Sequence, residues 1–130
     1  PPYPPACHDL LVGTLLIVDA ANVVGSRPDG WWRDRAGATR RLRDRLASTP
    51  PPGMDEVVLV VEGKAREVAS VPGVRVHAAP GSGDDTIVDL VRDADGTRTV
   101  VYVVTADREL RRRVEAFGAR VLGPRSLPHS

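Results

Sequence analysis

The sequence has one cysteine, Cys7, so no internal disulfide framework can form. Its three histidines, His8, His77 and His129, make no set with Cys7 that has zinc-ligand spacing. Long apolar runs are missing. The most apolar stretch, residues 10–18, is too short to span a bilayer and runs into Asp19 and Asn22. Nothing basic precedes it, so it does not read as a secretory signal, and the cytoplasm is the expected location, with no membrane partner. Excess charge is missing too: 18 basic residues face 17 acidic ones, a net +1. Bulk charge therefore does not mark a nucleic-acid binder, and such a reading must rest on where the charges sit. Lysine is nearly absent, with Lys64 alone among the basic residues and all others arginine. Guanidinium suits bidentate phosphate recognition. The excess, however, accompanies a general richness in Ala, Gly, Pro and Val, and only local arginine clusters carry meaning.

What remains is a chain of 130 residues, 42% hydrophobic and 27% charged, which is one soluble domain with room for a core. Residues 1–13 read as a Pro-rich arm, 14–125 as the folded domain and 126–130 as a tail. Within the domain, apolar runs alternate with amphipathic segments. TLLIVD (14–19), EVVLVVE (56–62) and TVVYVVT (99–105) are continuous apolar runs, while GVRVHAA (73–79) and ARVLG (119–123) are shorter strand candidates. Helical spacing appears over 32–48 (Ala38, Leu42, Leu46), 84–95 (Ile87, Leu90, Val91, Ala94) and 106–117 (Ala106, Leu110, Val114, Phe117). Strands apolar on both faces, alternating with helices, predict a three-layer α/β/α sandwich with a mainly parallel, Rossmann-like sheet. Right-handed crossovers put every strand's C-terminal end along one edge, where open α/β sheets bind ligands.

The acids fall on that edge. Asp19 closes the first strand and Glu62 the second, Asp107 follows the fourth, and Asp84 and Asp85 open the helix after Pro80-Gly81-Ser82-Gly83. At about 100° per residue, Asp84 flanks the core stripe and turns toward the sheet, whereas Asp85 lies nearly opposite it. Asp84 is thus the expected inner ligand, and Asp85 the one facing solvent or reaching an ion through water. Clustered carboxylates repel and raise one another's pKa. A hard divalent cation, Mg²⁺ or Mn²⁺, relieves that cost, polarises a phosphoryl oxygen and activates water. No histidine is placed to act as a general base. Asp84, Asp85 and Asp107 taken singly also suit helix N-caps, whereas Asp19 and Glu62 each end a run that should be buried.

The segment Ile17-Val18-Asp19-Ala20-Ala21-Asn22-Val23-Val24 resembles the opening motif of the NYN domains, PIN-like nucleases, and especially their YacP-like branch. Val60-Val61-Glu62-Gly63, Ser82-Gly83-Asp84-Asp85-Thr86-Ile87 and Val103-Val104-Thr105-Ala106-Asp107-Arg108-Glu109-Leu110 resemble its later motifs in the same order. The resemblance spans about residues 14–125 and implies a PIN-like fold and a metal-dependent endoribonuclease. It implies Asp19, Asp84 and Asp107 as ligands, Asn22 orienting Asp19 or touching the scissile phosphate, and Thr105 supporting the acids by a hydrogen bond. Two positions depart from the family's pattern. Glu62 stands where Asp is common, and Ala106 where Ser is. Asp34, near the start of the first long helix, is a candidate for the acidic rim or a solvated helix-start acid.

Arg33, Arg35 and Arg108 lie in first turns at the same edge and are the candidate contacts to single-stranded RNA. Trp31 and Trp32 follow the loop over residues 25–30, and Trp32 is a candidate for base stacking or for packing under the helix. The ribosome or a protein is a further candidate partner.

Two other functions use the same residues. A nucleotide phosphatase or pyrophosphohydrolase would apply the same metal chemistry to a small substrate, and a noncatalytic adaptor would bind RNA without cutting it. A haloacid-dehalogenase-type phosphatase needs an Asp where Ala21 stands, and a receiver domain needs a late Lys that the chain lacks. A P-loop is excluded because no Gly-Lys-Ser/Thr occurs.

Overall fold

A computed structural model describes residues 13–27 and 30–127, with the side chain of Trp31 outside that description. Five strands form one all-parallel sheet: β1 (Thr14–Asp19), β2 (Glu56–Val61), β3 (Arg75–Ala78), β4 (Val100–Val104) and β5 (Arg120–Leu122), in the order β3-β2-β1-β4-β5. Four α-helices accompany them: α1 (Ala20–Gly25), α2 (Arg35–Ser48), α3 (Gly83–Ala94) and α4 (Arg108–Glu115). The α/β class predicted from the apolar runs is the class observed, and the mainly parallel sheet is wholly parallel.

The strands' alternation divides the core into two layers. Leu16 and Val18 of β1, with Leu59 and Val61 of β2, pack on α1 and α2 through Val23, Leu42 and Leu46. Ile17, Val58, Val60 and Val103 face the other way, onto Ile87 and Val91 of α3 and Leu110 and Val114 of α4. Burying each such side chain fully is worth roughly 1.5–3 kcal/mol, which is why both faces of the central strands are apolar. Leu127 is buried in the first layer, so the packed domain runs past residue 125, where the sequence pattern ended it. The Pro-rich arm before Gly13, Cys7, His8 and His129 lie outside the described residues.

Chain order explains the functional edge. From β1 the chain moves outward through β2 to β3, then crosses back to β4 on the other side of β1. The reversal falls between β1 and β4, the kind of place where open α/β sheets bind ligands. Asp19 is the last residue of β1 at that point.

Helix α1 has no counterpart in the periodicity. Six residues give too few positions for a 3.6-residue pattern to register. Its start is fixed by Asp19, whose Oδ1 accepts the Asn22 N–H at 3.4 Å, and its end by the Ser26 hydroxyl, which donates to the Val23 carbonyl at 2.7 Å. A 3₁₀ turn (Trp31–Arg33) then leads into α2, where the Asp34 carboxylate accepts the Gly37 N–H at 2.9 Å. Among the described residues, no helix is long and apolar enough to cross a membrane.

Candidate active site

Asp19 is only 4% exposed, which is unusual for a carboxylate at a strand end. Burial pushes its pKa up to about 6, and the charges of Asp84 and Glu62 push the same way. Two hydrogen bonds oppose the shift: the Thr105 hydroxyl donates to Oδ2 at 3.0 Å, and the Asn22 backbone N–H donates to Oδ1. Thr105 is itself buried at the end of β4, and its Oγ1 also accepts the Asp107 N–H at 3.1 Å. One hydroxyl thus ties the β1 acid to the acid that opens α4.

Asp107 caps α4, its Oδ1 accepting the Leu110 N–H at 3.0 Å. Asn22 completes the frame through two contacts. Its backbone meets Asp19, while its side-chain Oδ1 accepts the Ala106 N–H at 2.8 Å and fastens α1 to the loop after β4.

The start of α3 separates Asp84 from Asp85. Its first N–H groups are satisfied without either acid: Ser82 Oγ accepts from Asp84 N at 3.2 Å, and Glu62 Oε2 accepts from Gly83 N at 2.6 Å. Among the described residues, the Asp84 carboxylate makes no hydrogen bond. Desolvation raises its pKa, and so do the charges of Asp107 and Glu62, while Arg113 lowers it. Asp85 is exposed and pairs with Arg113 at 3.0 Å. Asp84 therefore feels the charges of the other acids, while Asp85 meets Arg113 of α4.

Glu62 accounts for its own extra methylene. Its carboxylate spans from the end of β2 to the start of α3 and lies so close that a Cβ on Gly83 would sit 3.2 Å from Glu62 Cδ. A side chain at position 83 would make the Glu62 carboxylate give by a few tenths of an ångström. Gly63, with φ +58°, then turns the chain back under the edge.

Four carboxylates from four segments thus converge, with no thiolate or imidazole among them, a donor set of the kind that hard divalent cations take. As the side chains stand, no three acidic, thiol or imidazole groups among the described residues surround one point closely enough to hold an ion. Asp34, the other candidate for the acidic rim, is exposed and engaged as the α2 cap.

Around the acids lie the candidate RNA contacts. Arg108 is exposed in the first turn of α4 and, among the described residues, has no carboxylate partner. Farther along α4, Arg111 pairs with Glu115 at 3.3 Å, and Arg112 pairs with Glu109. Trp32 is 60% exposed, and the Arg33 guanidinium sits 5.8 Å from its ring centroid.

A cleft of about 560 Å³ opens beside Glu62, between α1–α2 and the turns after β2 and β3. Arg35, Arg66, Ala21 and Ser82 are among its lining residues. Arg66 has no place in the sequence motifs. Its position in the turn after β2, at the shared edge, is the signal that would have found it.

This architecture matches known structures. The chain shares the fold of Rae1 (YacP) from Bacillus subtilis. Its crystal structure matches with a TM-score of 0.71 at 19% identity, over 86% of this chain and 70% of that one. A single-substitution mutant of the same protein matches with a TM-score of 0.68 at 20% identity, over 87% and 71%. No family model and no curated protein matches the sequence. At that identity the likeness is one of fold.

Proposed function

We propose that the chain is a metal-dependent endoribonuclease that hydrolyses phosphodiesters of single-stranded RNA, acting in the cytoplasm. The observation that carries this reading is Asp84: a half-buried carboxylate without a hydrogen bond, facing Asp107 and Glu62, at the reversal point of a parallel sheet. Repulsion of this kind costs stability and makes chemical sense where a cation relieves it. The YacP fold and the ordered motifs support the same reading.

Asp84, Asp107 and Asp19 are the residues that would hold Mg²⁺ or Mn²⁺, with Glu62 and Asp85 beside them. Such an ion, when bound, stabilises charge on the phosphoryl oxygens and makes a bound water more acidic. The protein's own part is positional. Thr105 and the Asn22 N–H orient Asp19, the Asn22 side chain holds the loop before Asp107, and Glu62 locks the start of α3 that carries Asp84. Arg33, Arg35 and Arg108 neutralise phosphates along the strand, and Trp32 offers a stacking face.

The test is incubation of end-labelled single-stranded RNA with the protein in Mn²⁺ or Mg²⁺, against EDTA and Asp107→Asn. Asparagine preserves the α4 cap and removes the charge, so the variant stays folded. Cleavage lost in both controls is the expected result. A second reading, a noncatalytic RNA-binding adaptor, draws on the commitment of Glu62 to Gly83 and on the absence, among the described residues, of three groups closed on one point. It predicts RNA binding that EDTA leaves unchanged and no cleavage. Phosphate or pyrophosphate released from nucleotides, with RNA left intact, would instead mark a small-molecule hydrolase.

A further inference from the structure

We infer that the cleft beside the acidic edge is a subsite for one nucleotide of the RNA strand, with Arg66 holding that nucleotide's phosphate; the identity of the strand rests on the nuclease reading above. The cleft's volume of about 560 Å³ is of the size that encloses small ligands. Its lining includes Ala20, Ala21, Val24 and Ala65, side chains that end at the β- or γ-carbon. They leave an apolar surface suited to the face of a nucleobase rather than to a branched side chain.

Arg66 supplies the polar end. Its Nε donates to the Gly63 carbonyl at 3.2 Å and its Nη1 to the Pro80 carbonyl at 3.4 Å. Gly63 and Pro80 both line the cleft, so the two bonds hold the guanidinium across it. Neither partner is an acid, and among the described residues Arg66 has no carboxylate partner. Its positive charge is therefore fixed in direction and not neutralised, unlike those of Arg111, Arg112 and Arg113. A fixed guanidinium with unspent N–H groups favours a phosphate. Glu62 lies in the same cleft, and its charge disfavours a polyphosphate more than a single phosphate. Because Glu62 also acts on Asp19 and Asp84, a nucleotide seated here is a close neighbour of the phosphate at the acids.

The full chain in EDTA is titrated with AMP and UMP, and with adenosine and uridine, while backbone amide shifts are followed by NMR. Both nucleotides should shift the amides of Gly63, Ala65, Gly81 and Ser82 saturably, and the nucleosides should bind more weakly. Arg66→Gln should weaken the nucleotides about five- to tenfold and leave the nucleosides nearly unchanged, the size expected for one charge-assisted contact in water. Ala21→Phe, which fills the cleft from an exposed position, should block all four. Arg66 and Ala21 are both exposed, so neither change disturbs the core. Saturable shifts confined to other residues, no shifts at all, or wild-type nucleotide affinity in Arg66→Gln would each overturn the subsite.

RNA cleavage by the same variants in Mn²⁺ separates this inference from the reading it rests on. A higher KM for RNA in Arg66→Gln supports the subsite. Cleavage with unchanged KM in both variants sinks the subsite and leaves the nuclease. Cleft binding of mononucleotides without any RNA cleavage sinks the nuclease and leaves a nucleotide site.

Discussion

Thr105 donates its hydroxyl to the carboxylate of Asp19 at 3.0 Å, joining residues 86 positions apart in the chain. The same oxygen accepts the Asp107 N–H, so two acids of the candidate site share one buried anchor. Thr105→Val removes a bond that lowers the pKa of Asp19, which should rise above its value of about 6. It also leaves a buried acceptor and a half-buried donor unpaired, at a cost of about 1–3 kcal/mol. Thr105→Ser should retain both effects of the native hydroxyl. Urea unfolding and a carboxyl NMR titration of the three proteins check this.

The raised pKa of Asp19 sets a direction for pH dependence. Its carboxyl titrates at about 6 in the fold against 3.8 as a free side chain, so the native state binds the proton more tightly. Its contribution to stability is complete below about pH 4 and is lost as pH rises through 6. The whole shift corresponds to about 3 kcal/mol. Asp19→Asn, unfolded by urea in EDTA, should gain stability relative to the wild type between pH 4.5 and 7.5. A constant difference between the two proteins over that range would contradict the shift.

If a divalent cation is the counter-charge for the acids, it must stabilise the folded chain. Millimolar Mn²⁺ or Mg²⁺ should raise Tm by a few degrees at pH 7.5, an effect of binding to the native state alone. Asp84→Asn should abolish the rise while raising the metal-free Tm, because it relieves repulsion without removing a hydrogen bond. A metal-induced rise of the same size in Asp84→Asn would remove Asp84 from the ligand set.

Gly83→Ala tests the packing of Glu62 against α3. Alanine ordinarily favours a helix over glycine by about 1 kcal/mol. Here its Cβ would lie 3.2 Å from Glu62 Cδ and push on the carboxylate that accepts the Gly83 N–H, weakening that bond. Loss of the cap, worth about 1 kcal/mol, should therefore cancel the helical advantage of alanine and leave stability near the wild type, while cleavage slows as Asp84 shifts. Glu62→Gln, whose amide oxygen can still accept that bond, should stay close to the wild type in stability. Unfolding and cleavage assays on both variants decide it.

Arg108 is the exposed cation nearest to Asp107 in sequence. Arg108→Gln should weaken RNA binding evenly across sequences and reduce the salt slope by about 0.7 for each phosphate it no longer neutralises. An unchanged slope in fluorescence anisotropy titrations from low to moderate salt would place Arg108 off the RNA path.

The layers and the acidic edge follow from the pattern of residues along the chain. Runs apolar on both faces can only be buried on both faces, so TLLIVD, EVVLVVE and TVVYVVT specify a covered parallel sheet, and its handedness places Asp19, Glu62, Asp84 and Asp107 along one side. Helical phase separates Asp84 from Asp85, because a 100° step per residue is a local property of the chain. What each side chain does at that edge depends instead on how the elements pack. The Asn22 amide reaches Ala106, Glu62 reaches Gly83, Asp34 caps its own helix, and Arg66 spans the walls of a cleft. Except for Asp34, these are bonds in which a side chain meets the backbone of a loop or another element. Their partners are set by how helices and turns pack on the sheet, and periodicity along the chain carries no record of that packing. Helix α1 shows the same limit at its smallest scale: six residues hold no repeat to read, and its ends are fixed by the side chains of Asp19 and Ser26.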